Sequence, residues 1–299
     1  MAYQKHVFHM SKLRRAAFGA VVSTLSSLLC ACSAIRYDNS LPSKNFDSRV
    51  LFIVIHYTAG DFDRSVRLLT GAEKRNPSAD VSAHYLVGEQ PARVYQLVDE
   101  RDRAWHAGKS YWMGNANLNS SSIGIEIVNK GMVIGPDGAP YFVPYNPKQI
   151  ELVIDLVHDI AARHHIRPDR ILGHSDIQPQ HKQDPGPEFP WHRLFDEGLI
   201  PWPDEDAVRS KQALYAAQLP SPAWFQDKLG KLGFDFSAGI SGMLDEQTRN
   251  VVEAFQMKYR PTKFDGVLDA ETAALLDVVT SPGGLLIKQR DGATVAFVP

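Results

Sequence analysis

The chain has 299 residues, 44% of them apolar, 22% charged and 10% aromatic, a globular composition that excludes wholesale disorder and fibrous structure. At about 100–200 residues per domain, the length points to two domains. A formal net charge of −2 supplies no broad basic surface, which argues against nucleic acid as a partner.

The chain opens with a targeting pattern. Lys5, Lys12, Arg14 and Arg15 form a basic stretch with no acidic residue before Asp38, and a mostly apolar run of 14 residues, Ala16 to Leu29, follows. That run is too short to span roughly 30 Å of hydrocarbon comfortably and reads as a signal peptide, with an uncleaved anchor helix as the bland alternative. Met10 heads a complete basic stretch of its own and is a second candidate start. Leu29-Cys30-Ala31-Cys32 resembles the bacterial lipobox, which implies cleavage before Cys32 and lipidation of that residue. Several acyl chains anchor durably where one is marginal. Removal of residues 1–31 leaves 28 basic against 34 acidic residues and no cysteine pair for an internal disulfide. Ser33 resembles the sorting signal for the outer membrane, so the expected location is the outer membrane, lipid-anchored and facing the periplasm.

Residues 32–47 lack periodicity and read as a tether. Val50–Ile55 is a continuous apolar, β-branched run suited to a strand buried on both faces, and His84–Val87, Val94–Val98 and Ile123–Val128 are further strand candidates. Gln149–His165 carries apolar residues at 150, 153, 154, 157, 160 and 161, a helical stripe bounded by Pro147 and Pro168. Arg170–Leu172 is a short strand before a polar, proline-rich loop, 173–190. This order predicts an α/β domain over 48–200, a central mixed sheet flanked by helices. Ile200–Asp206 marks a boundary. Beyond it, Gly242–Thr248 and Gly266–Thr272 form a weak repeat, G-x-L-D-x-[EQ]-T, whose aspartates can cap helices. With a third helix near Ala223–Leu232 they predict a small all-α three-helix domain over 207–280. The tail, 281–299, carries no clear signal.

Among eleven histidines, two directly follow strand candidates: His56 in I-H-Y-T and His174 in L-G-H-S-D. Asp184 lies ten residues beyond the second. Two imidazoles and a carboxylate leave one tetrahedral position open, as catalytic zinc requires. By spacing alone, histidines 118 residues apart make no zinc site, and each is more often an ordinary core or surface group. No H-E-x-x-H helix is present, which disfavours a thermolysin-like protease.

The ordered words I-H-Y-T-A-G, S-A-H-Y-L-V, A-W-H-A-G, S-I-G-I-E-I, L-G-H-S-D-I and H-K-Q-D-P-G-P, over roughly 48–195, together resemble the type 2 zinc-dependent N-acetylmuramoyl-L-alanine amidases, relatives of peptidoglycan recognition proteins. The resemblance assigns Zn2+ to His56, His174 and Asp184. It makes Glu126 the residue that handles the proton of the attacking water, and Lys182 a stabiliser of the oxyanion. It leaves His84 a structural or supporting residue, and places Trp105, His106 and Asn115, with Asn117 and Trp112, along the substrate groove. The C-terminal repeat is similar to the small peptidoglycan-binding domain, although Ser241 replaces an aspartate and both halves carry Asp where a second glycine is usual. The implied activity is hydrolysis of the amide between N-acetylmuramic acid and L-alanine in peptidoglycan, by a monomer. A non-catalytic peptidoglycan-binding receptor or tether, a peptidase acting on stem peptides and a periplasmic zinc buffer are the alternatives.

Overall fold

A computed structural model describes residues 38–45, 48–73 and 80–298. The signal segment and Cys32 lie outside the described residues. The chain divides into two units, 1–47 and 48–299. In the first, residues 38–45 are exposed and hold only local turns, such as Ser40 N–H donating to Asp38 Oδ1 at 2.9 Å.

The second unit begins with β1 (Phe52–Tyr57), α1 (Phe62–Leu69), β2 (Tyr85–Glu89) and β3 (Ala92–Gln96). A short hairpin, β4 (Tyr111–Trp112) and β5 (Asn115–Ala116), leads to β6 (Ser122–Ile127), a second hairpin, β7 (Met132–Ile134) and β8 (Pro140–Phe142), and the long α2 (Pro147–His164). β9 (Ile171–Gly173) runs directly into the one-turn α3 (His174–Ile177), followed by α4 (Trp191–Asp196) and β10 (Trp202–Pro203). Four helices follow, α5 (Glu205–Ala217), α6 (Pro222–Leu232), α7 (Glu246–Tyr259) and α8 (Ala270–Val279), then β11 (Leu285–Lys288) and β12 (Thr294–Ala296).

The main sheet has the order β3-β2-β6-β1-β9, with β2 and β3 antiparallel and the other pairs parallel. This is the mixed sheet flanked by helices that the element order predicts. Side chains alternate between its faces. Ile53, Ile55, Ile123, Ile125 and Ile127 pack on Ile150, Val153, Val157 and Ile160 of α2. The α2 stripe meets them because Asn146 caps its N-terminus, accepting from Lys148 N–H, and Pro147 occupies the first turn. On the opposite face, Phe52, Val54 and Leu172 share a core with Phe225, Phe255 and Leu276 of the C-terminal helices. No helix among the described residues is long and apolar enough to cross a membrane.

The boundary expected around 200–206 is followed at once by a helix. Asp204 caps α5, and α5 packs along α8. The tail without a sequence signal forms β11 and β12, which close a three-stranded sheet with β10. Strands of two to four residues carry too few positions to display a period.

The C-terminal repeat has a shared hydrogen-bond plan. Asp245 caps α7 and Asp269 caps α8, each accepting from the threonine N–H three residues on. A buried glutamine on the preceding helix then clasps each half. Gln226 accepts from Gly242 N–H and donates to Thr248 Oγ1, at 2.8 and 2.7 Å. Gln256 does the same with Gly266 N–H and Thr272 Oγ1, at 2.9 and 3.0 Å.

Candidate metal centre and active-site cavity

The site lies where three neighbouring parallel strands end. The register pairs His56 of β1 with Glu126 of β6, so their side chains leave the same face. On the other flank Ile55 pairs with Gly173 of β9, which places His174 beside His56 one residue later. Carboxyl ends of parallel strands form a ready crevice in α/β sheets. Asp184 enters from the loop after α3, fixed by Ser175 N–H donating to its carbonyl at 2.8 Å.

His56 Nδ1, His174 Nδ1 and Asp184 Oδ2 form a triangle with edges of 2.9, 2.9 and 3.1 Å, and all three residues are buried. No assignment of protons satisfies all three edges. With a proton on both Nδ1 atoms, two donors face each other; with either Nδ1 bare, its lone pair meets that of the Asp184 carboxylate oxygen. A shared cation satisfies all of them, and these edges suit donors converging on one ion at about 2.0–2.2 Å. The donor set of two imidazoles and one carboxylate fits zinc with a position left open.

Each imidazole is held through its far nitrogen. His174 Nε2 donates to Gln178 Oε1 at 3.1 Å, and His56 Nε2 contacts His106 Nδ1 at 3.0 Å. Burial, reinforced by the neighbouring His174, lowers His56 to about 4, so it is neutral at pH 7. Burial alone raises the Asp184 carboxyl, but the His174 and His56 imidazoles together outweigh it and hold the group well below the usual carboxylate range. Burial, with Asp184 adding to it and Lys182 opposing, pushes Glu126 up to about 8, and its Oε2 has no hydrogen-bond partner among the described residues. A dication in the triad favours the ionised form of this carboxyl.

A cavity of about 590 Å³ opens over the triad. Glu126, Lys182, Trp105 and His106 line it together with His174 and Asp184. Lys182 and Trp105 are both exposed, and Trp105 is stacked under the Arg103 guanidinium, 3.9 Å from its ring centroid. Asn115 is not among the lining residues; its side chain is spent on its own turn, donating to the Trp112 and Met113 carbonyls. Trp112 packs on Phe234, and Met113 N–H donates to Gly233 O, so this hairpin meets the C-terminal helices. His84 accepts from Gly124 N–H at Nδ1 and contacts the Asp102 carbonyl through Nε2.

Several site features escape the sequence reading. Asn250, Glu253 and Met257 of α7 form part of the cavity wall. Gln183 donates to Glu253 at 2.9 Å, and Asn250 donates to Gln180 at 3.0 Å, joining that helix to the loop that carries Asp184. Lys258 Nζ donates to the buried Asp176 Oδ2 at 2.8 Å. Gln178 sits four residues after His174, a spacing that places both on one helical face. The glycine of S-I-G-I-E-I has a steric cause: a Cβ on Gly124 would lie 2.4 Å from His106 Cγ.

Residues 46–187 match the N-acetylmuramoyl-L-alanine amidase family, and residues 218–276 match a peptidoglycan binding domain. N-acetylmuramoyl-L-alanine amidase AmiD of Escherichia coli is 42% identical over 243 residues, covering 79% of this chain and 84% of that protein. The chain belongs to the N-acetylmuramoyl-L-alanine amidase family. Solved structures superpose on it as well. The E. coli AmiD complex with anhydro-N-acetylmuramic acid-L-Ala-D-gamma-Glu-L-Lys has a TM-score of 0.70 at 39% identity, covering 82% of this chain and 93% of that one. AmpDH3 of Pseudomonas aeruginosa with anhydromuramic pentapeptide has a TM-score of 0.71 at 36% identity, covering 82% and 97%. Within this amidase family, the triad of this chain is a zinc-type site on an expected scaffold, the ends of adjacent parallel strands.

Proposed function

We propose that this protein is a zinc-dependent amidase that hydrolyses the bond between the lactyl carbonyl of N-acetylmuramic acid and the L-alanine nitrogen of peptidoglycan. The observation that carries the proposal is the buried His56, His174 and Asp184 triangle beneath a cavity lined by Glu126 and Lys182. When bound by those three residues, zinc supplies Lewis-acid chemistry, acidifying water and polarising a carbonyl. Glu126, whose ionised form a bound dication favours, takes a proton from the attacking water and delivers it to the L-alanine nitrogen as the C–N bond breaks. The Lys182 ammonium offsets negative charge growing on the carbonyl oxygen. The products are a free lactyl carboxylate and a stem peptide with a free amino terminus. Trp105 and His106 border the substrate.

The domain plan follows from the same reading: a catalytic domain over 48–200, and a helical domain over 207–280 that binds the wall and raises local substrate concentration. Lipidation at Cys32 and outer-membrane placement rest on the lipobox and Ser33. The related complexes with anhydromuramoyl peptides support 1,6-anhydro muropeptides as accepted substrates.

The full chain is incubated with purified murein, with and without chelator, and the products are read by mass spectrometry. Stem peptides beginning at L-alanine, lost on chelation and restored by zinc, are the expected result. Intact murein that pulls the protein down overturns the enzymatic proposal in favour of a binding protein.

A further inference from the structure

The contact between His56 and His106 belongs to a longer chain of hydrogen bonds whose directions are determined at one end. Ser122 Oγ lies 2.6 Å from the Leu118 carbonyl oxygen, which can only accept, so the single hydroxyl proton is used there. Ser122 Oγ therefore meets His106 Nε2, 3.2 Å away, as an acceptor, and His106 must carry its proton on Nε2. His106 Nδ1 is then a lone pair, and its 3.0 Å contact with His56 Nε2 requires the proton on the His56 side. A neutral His56 with its proton on Nε2 presents a bare Nδ1 to His174 and Asp184.

We propose that His106 is a positioning residue for the metal centre. Oriented by Ser122, it holds His56 in the tautomer whose Nδ1 lone pair faces the ion. This rests on the proposal that the triad binds zinc. The local structure is consistent with a dedicated role. Ser122, His106 and His56 are all buried, which shields these bonds from bulk solvent. The His106 ring lies against β6 where Gly124 leaves room, and the His106 and Ala107 N–H groups both donate to Asn119 Oδ1, at 2.9 and 2.7 Å, which fixes the backbone under the ring. Among the described residues neither ring nitrogen of His106 meets a carboxylate, so the buried ring carries a single proton. In the usual arrangement a ligating histidine leans on a carboxylate, carbonyl or water. Here a second imidazole does that work and adds no negative charge to the site.

The test uses the full chain, 15N-labelled at histidine, and reads proton positions from long-range 1H–15N correlations, with zinc affinity measured by chelator competition. In the unsubstituted protein His56 and His106 should both be protonated at Nε2, with zinc and without it. His106→Phe removes the acceptor and should weaken zinc binding about 10–100-fold, whereas His106→Gln, which keeps an acceptor oxygen, should recover most of that loss. Ser122→Ala covers the case in which His106→Phe fails to fold: His106 should then appear as a mixture of tautomers, with weaker zinc binding. A proton on His106 Nδ1 in the unsubstituted protein, zinc affinity within twofold of it in His106→Phe, or unchanged tautomers in Ser122→Ala would each overturn the proposal. Because proton positions are also read without metal, a chain that takes up no zinc counts against the zinc proposal and leaves the relay to be judged separately.

Discussion

Lys258→Met removes one partner of the ion pair that ties the C-terminal helices to the metal loop. Lys258 is 8% exposed and Asp176 3% exposed, with 2.8 Å between Nζ and Oδ2. The ammonium also lies 4.3 Å from the Trp191 ring centroid, and the Asp176 oxygen accepts one other bond, from Gly173 N–H. Methionine fills nearly the same volume, so the principal loss is electrostatic. Leaving a buried carboxylate with one backbone donor costs about 3–5 kcal/mol. For a unit of this size that lowers the melting temperature by roughly 10 °C. Asp176 is two residues beyond His174 on α3, so zinc affinity should fall as well. Lys258→Met/Asp176→Asn, which removes both charges and keeps an acceptor for Gly173 N–H, should regain most of the stability. Thermal unfolding of the full-chain variants and zinc competition supply both readouts. A single variant within about 0.5 kcal/mol of the parent, or a double variant as unstable as the single, would refute the claim that this pair couples the two parts.

Glu126→Gln should keep zinc near one equivalent and lower turnover of soluble muropeptides by about 10²–10⁴-fold, read by single-turnover kinetics; undiminished turnover removes Glu126 from the proton path. Gln256→Ala leaves Gly266 N–H and Thr272 Oγ1 without their buried partner and should cost about 1–3 kcal/mol in denaturant unfolding. A pH series tests Asp277. Burial alone raises this carboxyl, but Lys211, Lys228 and Tyr215 outweigh it and lower it to about 2. Its folded value lies below its unfolded one, so its stabilisation is complete above about pH 4 and is lost as the pH falls toward 2. The stability gap between the parent and Asp277→Asn should therefore be constant near neutrality and shrink in acid; a gap independent of pH refutes the pairing.

The sheet and α2 were legible because their burial is one-sided or complete over five or more residues, which writes a period into the chain. Asp245 and Asp269 were legible as caps because a cap is a local event within four residues. α5 was not. Its mean polarity and single fully buried side chain, Val208, leave little stripe to read, and it is held by packing on α8 more than 50 residues away. The strands of the tail are similarly defined by β10, a partner distant in sequence.

At the site, the ligand trio could be named only through the ordered motifs, because its geometry depends on register. His56 stands beside Glu126 since β1 and β6 pair in parallel, and a shift of one residue would turn one of them into the α2 core. The supporting residues left a fainter trace still. Ser122, Asn119 and Gly124 are small or polar residues near a strand start, unremarkable singly, yet each is needed to seat the His106 ring. Lys258 and Glu253 lie in what reads as a separate wall-binding helix, but they meet the loop between the second and third ligands. A helix that grips that loop supports the metal centre from within the same compact unit. Truncation before α7 should therefore lower activity on soluble muropeptides that need no wall binding, an outcome a simple tether does not produce.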